Sequence, residues 1–361
     1  MKTMLKVTQF EFRYQIKSKF FIVGMILLFL FMWSEFSPYL RHYPIQDNND
    51  IQQLFSKGIH QELLRVEVSP AETLSAAVLH MEQLKEGDFS AENVQAAKAL
   101  ASQIKAQNLS LEQAHALVEQ QYPSFVDQWN VFIEERGVRL GNIEEVAPLF
   151  RYYYERQSFS REFALLWSDR LQIIMSALSI PAFLLLFFKD RRYHAIEWLR
   201  AKPVTGFQYI TGKYIGTVLA WCLPALIVST AANIWLGLKF TMDEYAYHFM
   251  DVFLGLLIYV LPAFVFSGAL IILLGFLFHN EIAALPIFIV YLLFNVAASA
   301  FGRDESHPLG YARYMIRLDE HSSTDWLAYI PHQSLVLGAT LLMMLWAGQL
   351  WLRQGLKGKG R

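Results

Sequence analysis

The chain has 361 residues, of which 54% are hydrophobic, 15% aromatic and only 17% charged, and its mean hydropathy is +0.27. That composition excludes an ordinary soluble domain, and the net charge of -1 by itself says little. The small sum hides an uneven distribution, with cations in a few short segments and anions in one long one. Cys222 is the single cysteine and lies in an apolar run, which rules out an intrachain disulfide or a cysteine-based metal site.

Residues 1 to 19 (MKTMLKVTQFEFRYQIKSK) set Phe10, Tyr14 and Ile16 among Lys6, Arg13, Lys17 and Lys19, the pattern of an amphipathic helix in a membrane interface. The run Phe20 to Phe36 is apolar for about one crossing. A cleaved secretory leader is disfavoured, because Met32, Trp33 and Glu35 stand where a small-residue site would be, and Trp33 suits an interface anchor. From Ser37 to Asp169 the chain is polar, with 19 acidic residues against 11 basic ones, and no stretch there can span a bilayer. Ser69-Pro70-Ala71-Glu72 and Ser110-Leu111-Glu112-Gln113 predict capping boxes, the first with proline at the opening helical position. Two apolar stripes follow, one of Leu74, Val78, Leu79 and Met81 to Leu84, the other of Val94, Ala97, Leu100, Ala101 and Ile104. A third helix around Trp129 to Arg136, a turn at Gly137 and Gly141, and the aromatics Phe150, Tyr152, Tyr153 and Tyr154 complete an expected all-helical domain.

The second span runs from near Leu171 to Phe188, and a long helix starting at Ser158 would contain it. Four more apolar runs follow: Tyr214 to Leu238, Val252 to Phe278, Ile282 to Phe301 and Leu327 to Leu352. Each reaches the roughly 20 residues that a crossing needs at about 1.5 Å rise per residue. The expectation is therefore six spans. Cations number 15 in the segments that alternate to one side and 4 in the short loops of the other, which places both termini and residues 189 to 213 in the cytoplasm and the long insertion outside.

The segment from Lys189 to Tyr214, KDRRYHAIEWLRAKPVTGFQYITGKY, carries six cations against Asp190 and Glu197. Ile196, Trp198 and Leu199 give a short helix an apolar side, Pro203 stops it, and Thr205 and Gly206 restart the chain. Its order of residues resembles permease subunits of the ABC-2 type, which carry between spans two and three a charged pair, a Glu, a Leu, a Pro-Val-Ser/Thr turn and a Gly-Lys. Here these are Arg191 and Arg192, Glu197, Leu199, Pro203-Val204-Thr205 and Gly212-Lys213, with Ala195-Ile196 in place of the usual Gly-Thr. The resemblance covers residues 1 to 36 and 169 to 361 and leaves out the insertion. It implies that the segment is a coupling helix pressing on a separate ABC ATPase subunit, with Arg191, Arg192, Glu197, Leu199, Arg200, Pro203 and Lys213 as the coupling residues. It also implies a second permease copy or homologue, ATP and magnesium on the ATPase and no cofactor on this chain. Tyr311 to Leu318 is expected to form a short helix lying at the outer interface, and the segment Gly302 to Gln333 that contains it resembles the pair of short re-entrant helices that the family carries before its last span.

Pro181, Pro224, Pro262 and Pro286 put one proline in each of spans two to five, while Gln172, Asn233 and Asn295 are polar residues expected to bond between helices. No Asp, Glu, Lys or Arg falls in the middle of an apolar run, which speaks against a proton- or ion-coupled carrier. There is no phosphate loop and no His-Glu-x-x-His. The pairs Glu134-Glu135 and Glu144-Glu145 fall on solvated helix surface, and His321 with His332 is a weak metal signal. The expected molecule is thus an all-α integral membrane protein with six transmembrane helices and a helical extracytoplasmic domain. Its divisions are 1–36, 37–168 and 169–361, and its contacts are membrane lipid and protein, with no nucleic acid. The alternative is a membrane sensor or immunity module whose outer domain binds a peptide or drug without transporting it.

Overall fold

The computed structural model describes residues 2–85, 91–157, 159–192, 205–278, 281–297, 313–318 and 326–357. They form two compact units, Met1–Tyr43 together with Tyr153–Arg361, and Pro44–Tyr152.

Helix α1 (Lys2–Ile16) opens the first unit. Ser18 then caps α2 (Lys19–His42) by accepting the Phe21 N–H at 3.1 Å. Thr8, Glu11 and Gln15 of α1 are buried, while its exposed side mixes Leu5, Phe10 and Tyr14 with Lys6, Gln9 and Arg13, so this helix is polar inside and amphipathic outside.

The unit Pro44–Tyr152 holds α3 (Asn48–Ser56), α4 (Gln61–Leu64), β1 (Arg65–Glu67), α5 (Pro70–Gln83), α6 (Ala91–Gln107), α7 (Leu111–Gln121), α8 (Val126–Arg136), β2 (Val138–Leu140) and the start of α9 (Ile143–Gln157). Both capping boxes form at Ser69 and Ser110. The stripe of α6 closes on Leu74, Val78 and Met81 of α5 and on Trp129 and Phe132 of α8, giving one apolar core. Leu79 stays 55% exposed, because it lies about 100° around the helix from Val78. The all-helical expectation needs correction at Gly137. The residues after it pair as a two-stranded antiparallel ribbon, with Arg65 opposite Leu140 and Glu67 opposite Val138. Gly141 ends the ribbon where a Cβ would stand 2.5 Å from side-chain atoms of Val66 and Val146.

The first unit resumes at Tyr153 in α9 and continues with α10 (Phe159–Arg192), α11 (Gly206–Met242), α12 (Met250–Leu277), α13 (Glu281–Val296) and α14 (Ile330–Lys357). By length and composition α2, α10, α11, α12 and α14 can cross a membrane, and α13 adds a shorter apolar helix. Helix α13, with its apolar stretch Leu285–Val296, is therefore what the described residues show of the expected fifth span. Helix α10 is the central post. Its Phe163, Trp167, Leu171, Met175 and Phe183 are buried, and it packs against α2, α11, α12 and α13. Helix α12 carries a π-helical stretch at Leu256–Val260 just before Pro262, where proline removes an N–H from the ladder. Outward, α2 presents Ile22, Val23, Ile26, Phe29 and Leu30, and α14 presents Leu335, Leu341, Leu342 and Trp346. Continuous apolar faces of this kind are solvated by lipid tails.

Candidate functional site

Two polar junctions stand out inside the membrane unit. The first gathers the roots of the charged segment. Gly212 and Gly216 of α11, one turn apart, let α1 approach so closely that a Cβ at Gly216 would lie 2.6 Å from the Thr8 carbonyl oxygen and 2.9 Å from Glu11 Cβ. Into that contact α1 sends its polar side. Gln15 donates to Glu11 at 3.0 Å and to the Thr217 hydroxyl at 3.3 Å. The Lys213 ammonium lies 3.7 Å from Glu11 Oε2, donates to the Leu186 carbonyl of α10 at 2.9 Å, and sits over the rings of Phe187 and Tyr209. Lys213 is only 3% exposed. Its charge is thus spent inside the unit, joining α1, α10 and α11, and is not offered on the surface. Of the other expected coupling residues, Arg191 and Arg192 form the end of α10, while Glu197, Leu199, Arg200 and Pro203 lie outside the described residues. Thr205 caps α11 with a full capping box to Gln208.

The second junction holds the segment 313–318. The expected short helix at Tyr311 to Leu318 is absent from its described part, which is irregular from Arg313 to Leu318. The reason is where its backbone bonds go. Asn295 Oδ1 accepts the N–H groups of Tyr314 at 2.9 Å and Met315 at 3.3 Å, and Asp169 Oδ1 accepts that of Leu318 at 2.9 Å. Gln172 donates to the Ile316 carbonyl. Arg317 pairs with both carboxylate oxygens of Asp169, at 2.8 and 3.2 Å, and Arg170 reaches Asp169 at 2.5 Å and Glu35 of α2 at 3.1 Å. Asp169 is fully buried. A buried carboxylate near the middle of the candidate span Phe159–Leu184 corrects the expectation that no charge falls in the middle of a span. The apolar run begins near Leu171, but the helix that by length and composition can cross a membrane begins at Phe159. The signal was present in the sequence, because Glu162, Asp169, Gln172 and Ser176 recur on one helical face.

The polar amides act otherwise than expected. Asn233 donates to the Phe249 carbonyl at 2.8 Å and accepts from the Tyr247 hydroxyl at 2.8 Å, fastening the link between α11 and α12. Burial pushes the Tyr247 phenol well above its usual range, so it remains a donor at neutral pH. Like Asn295 and Gln172, Asn233 ties irregular backbone to a helix. Lys239 closes the end of α2, donating to the carbonyls of Leu40, Arg41 and Tyr43 at 2.9 to 3.3 Å. Among the described residues no group of three or more His, Cys, Asp or Glu is placed to hold a metal ion. His332 bonds the Arg313 carbonyl at 3.0 Å, and His321 lies outside the described residues.

Apolar helices solvated by lipid outside, with polar groups joining helices and irregular segments inside, define a multi-pass membrane protein. The chain belongs to the ABC-2 transporter family: the sequence model described as "ABC-2 family transporter protein" matches residues 32–351. That match runs through the inserted unit, which the motif resemblance had left out, and begins after α1. The chain is therefore the membrane, permease component of a transporter, of a family whose members generally pair with a separate ABC ATPase subunit. No curated protein and no solved structure matches the chain significantly.

Proposed function

We propose that this chain is the permease subunit of an ATP-driven exporter, working as a pair of permeases with two ATPase subunits that carry the ATP and magnesium. The observation that carries this reading is the family match over 32–351 joined to a basic segment between α10 and α11. Closure of the ATPase pair presses on residues 189 to 213, through Arg191, Arg192, Glu197, Leu199, Arg200 and Pro203. Lys213 passes the push inward, because it ties the helices on either side of that segment to α1. The bundle crosses six times, both termini are cytoplasmic and the unit Pro44–Tyr152 lies outside, as the excess of cations on the other side favours.

The test is affinity purification of the tagged chain in mild detergent, as parent and as Glu197→Ala. An ABC ATPase should accompany the parent. The variant should reach the membrane at parental abundance and bring down at least about tenfold less ATPase, the effect of truncating one partner of a buried charge pair. Purification with a sensor kinase and no ATPase would overturn the reading in favour of the sensor.

A further inference from the structure

We infer that α8 is an acid-released helix of the unit Pro44–Tyr152, latched to α5 and α7 through the Nδ1 atoms of His80 and His115. Among the described residues α8 makes two side-chain hydrogen bonds to other helices, and both end on those atoms. The Trp129 indole N–H donates to His115 Nδ1 at 3.1 Å, and the Arg136 guanidinium donates to His80 Nδ1 at 3.3 Å. An indole N–H and a guanidinium can only donate, so each Nδ1 must offer a lone pair and each bond requires a neutral imidazole. The start of α8 has no side-chain cap, which leaves these two bonds and the packing of its apolar side to hold it.

The second ring nitrogen of His115 fixes where an added proton goes. His115 Nε2 faces Glu119 Oε1, one turn along α7, at 3.4 Å. A carboxylate only accepts, so Nε2 carries the ring hydrogen and acid can add a proton only at Nδ1, against the Trp129 N–H. Trp129 is fully buried, so its N–H then loses its partner inside the core. At His80 the same proton sets an imidazolium against the Arg136 guanidinium, on a ring that stands edge-on to Phe132 of α8 at 4.9 Å. Among the described residues the charges facing the two rings are Arg136 from α8 and Glu119 from α7, and where α6 meets α5 the pair Lys105–Glu82 brings one charge of each sign. Glu119 attracts the incoming proton and so assists release at His115. Both bonds are made to neutral histidine, so the released state binds more protons. The latch is therefore complete above the range in which histidine charges and is lost as the pH falls through it. Release frees the core around Trp129 and the strand β2 that follows α8. The inference does not depend on the transporter reading.

The test is hydrogen exchange of the full chain in lipid nanodiscs between about pH 7.5 and about pH 5, the range in which histidine charges. Rates are compared as protection factors, which remove the pH dependence of exchange itself. Protection of residues 126 to 136 should fall by about tenfold across that range, the effect of losing roughly one to two hydrogen bonds. In the double variant His80→Asn, His115→Asn the amide oxygens accept from the same donors and take up no proton, so protection should stay level. Glu119→Gln keeps an acceptor for Nε2 but removes the charge, and should move the midpoint down by roughly half a pH unit. A flat parental profile would overturn the inference. So would a fall in the double variant as large as the parent's, because another group would then be titrating. Should the double variant lack protection already at neutral pH, Glu119→Gln decides: a lowered midpoint supports the latch and an unmoved one overturns it.

Discussion

Helices α6 and α1 solve opposite problems with the same periodicity. In α6 the buried face is Val94, Ala97, Leu100 and Ile104, and Lys98 and Lys105 are exposed. In α1 the buried face is Thr8, Glu11 and Gln15, and Leu5 and Phe10 are exposed beside Lys6 and Arg13. One is built for water, where removing apolar surface from solvent drives packing. The other is built for an interface, where lipid satisfies its apolar side chains and water its cations, so that close backbone approach and hydrogen bonds supply the specificity. The same chain thus folds against two solvents. The difference predicts that apolar truncation should hurt the unit Pro44–Tyr152 most, and loss of a polar partner should hurt the membrane unit most.

Trp129→Ala and Lys213→Met break the two sides of that contrast and carry the largest expected effects. Trp129 is fully buried in the core of its unit, and its removal should cost about 3–5 kcal/mol. Hydrogen exchange in the full chain should show protection lost across α5 to α8. Lys213→Met keeps the length of the side chain but takes the ammonium from Glu11, at a cost of about 3–5 kcal/mol. The readout is the melting temperature of the detergent-purified chain. Pairing it with Glu11→Leu should recover most of the loss, because two apolar groups need no compensation. A double variant as unstable as Lys213→Met alone would mean that packing, and not charge, holds the α1 junction.

A smaller effect sharpens the comparison at a solvated charge pair. Arg139 and Glu145 meet at 2.5 Å on the surface of the unit Pro44–Tyr152. Hydrogen bonding from Arg139, with help from the Asn142 N–H, holds the Glu145 carboxyl below its ordinary value of 4.5. A carboxyl lowered by folding stabilises the fold above its unfolded pKa, and that contribution is lost as the pH falls through the folded one. Exchange protection of residues 138 to 146 should therefore be full at neutral pH and decline below about 4.5. Raised salt should weaken the pair, while the buried Asp169–Arg317 pair should be far less sensitive.

Much was legible without coordinates because it is local. The capping boxes at Ser69 and Ser110 require only four consecutive residues, and the α6 stripe only a period of 3.6. The errors lie where partners are distant. Residues 313–318 are helical by composition, yet their N–H groups go to Asn295 and Asp169, the latter almost 150 residues away in sequence. Leu79 was assigned to a core stripe because the run around it is apolar, and only packing against α6 and α8 shows which side of α5 is inside.

By itself the sequence determined the membrane class, since apolar runs of crossing length have no other solvent, and it pointed to the family through the residue order from Arg191 to Lys213. Only the tertiary structure decided where the charges go. Glu11, Lys213, Asp169 and Arg317 read as interfacial or loop residues beside the apolar runs, and each is buried or largely buried in the fold. The physical reason is that burial of a charge depends on its partner. An isolated ion is too costly to bring in from water, whereas one met by an opposite charge and backbone groups can be kept inside, and those partners come from helices far apart in the chain.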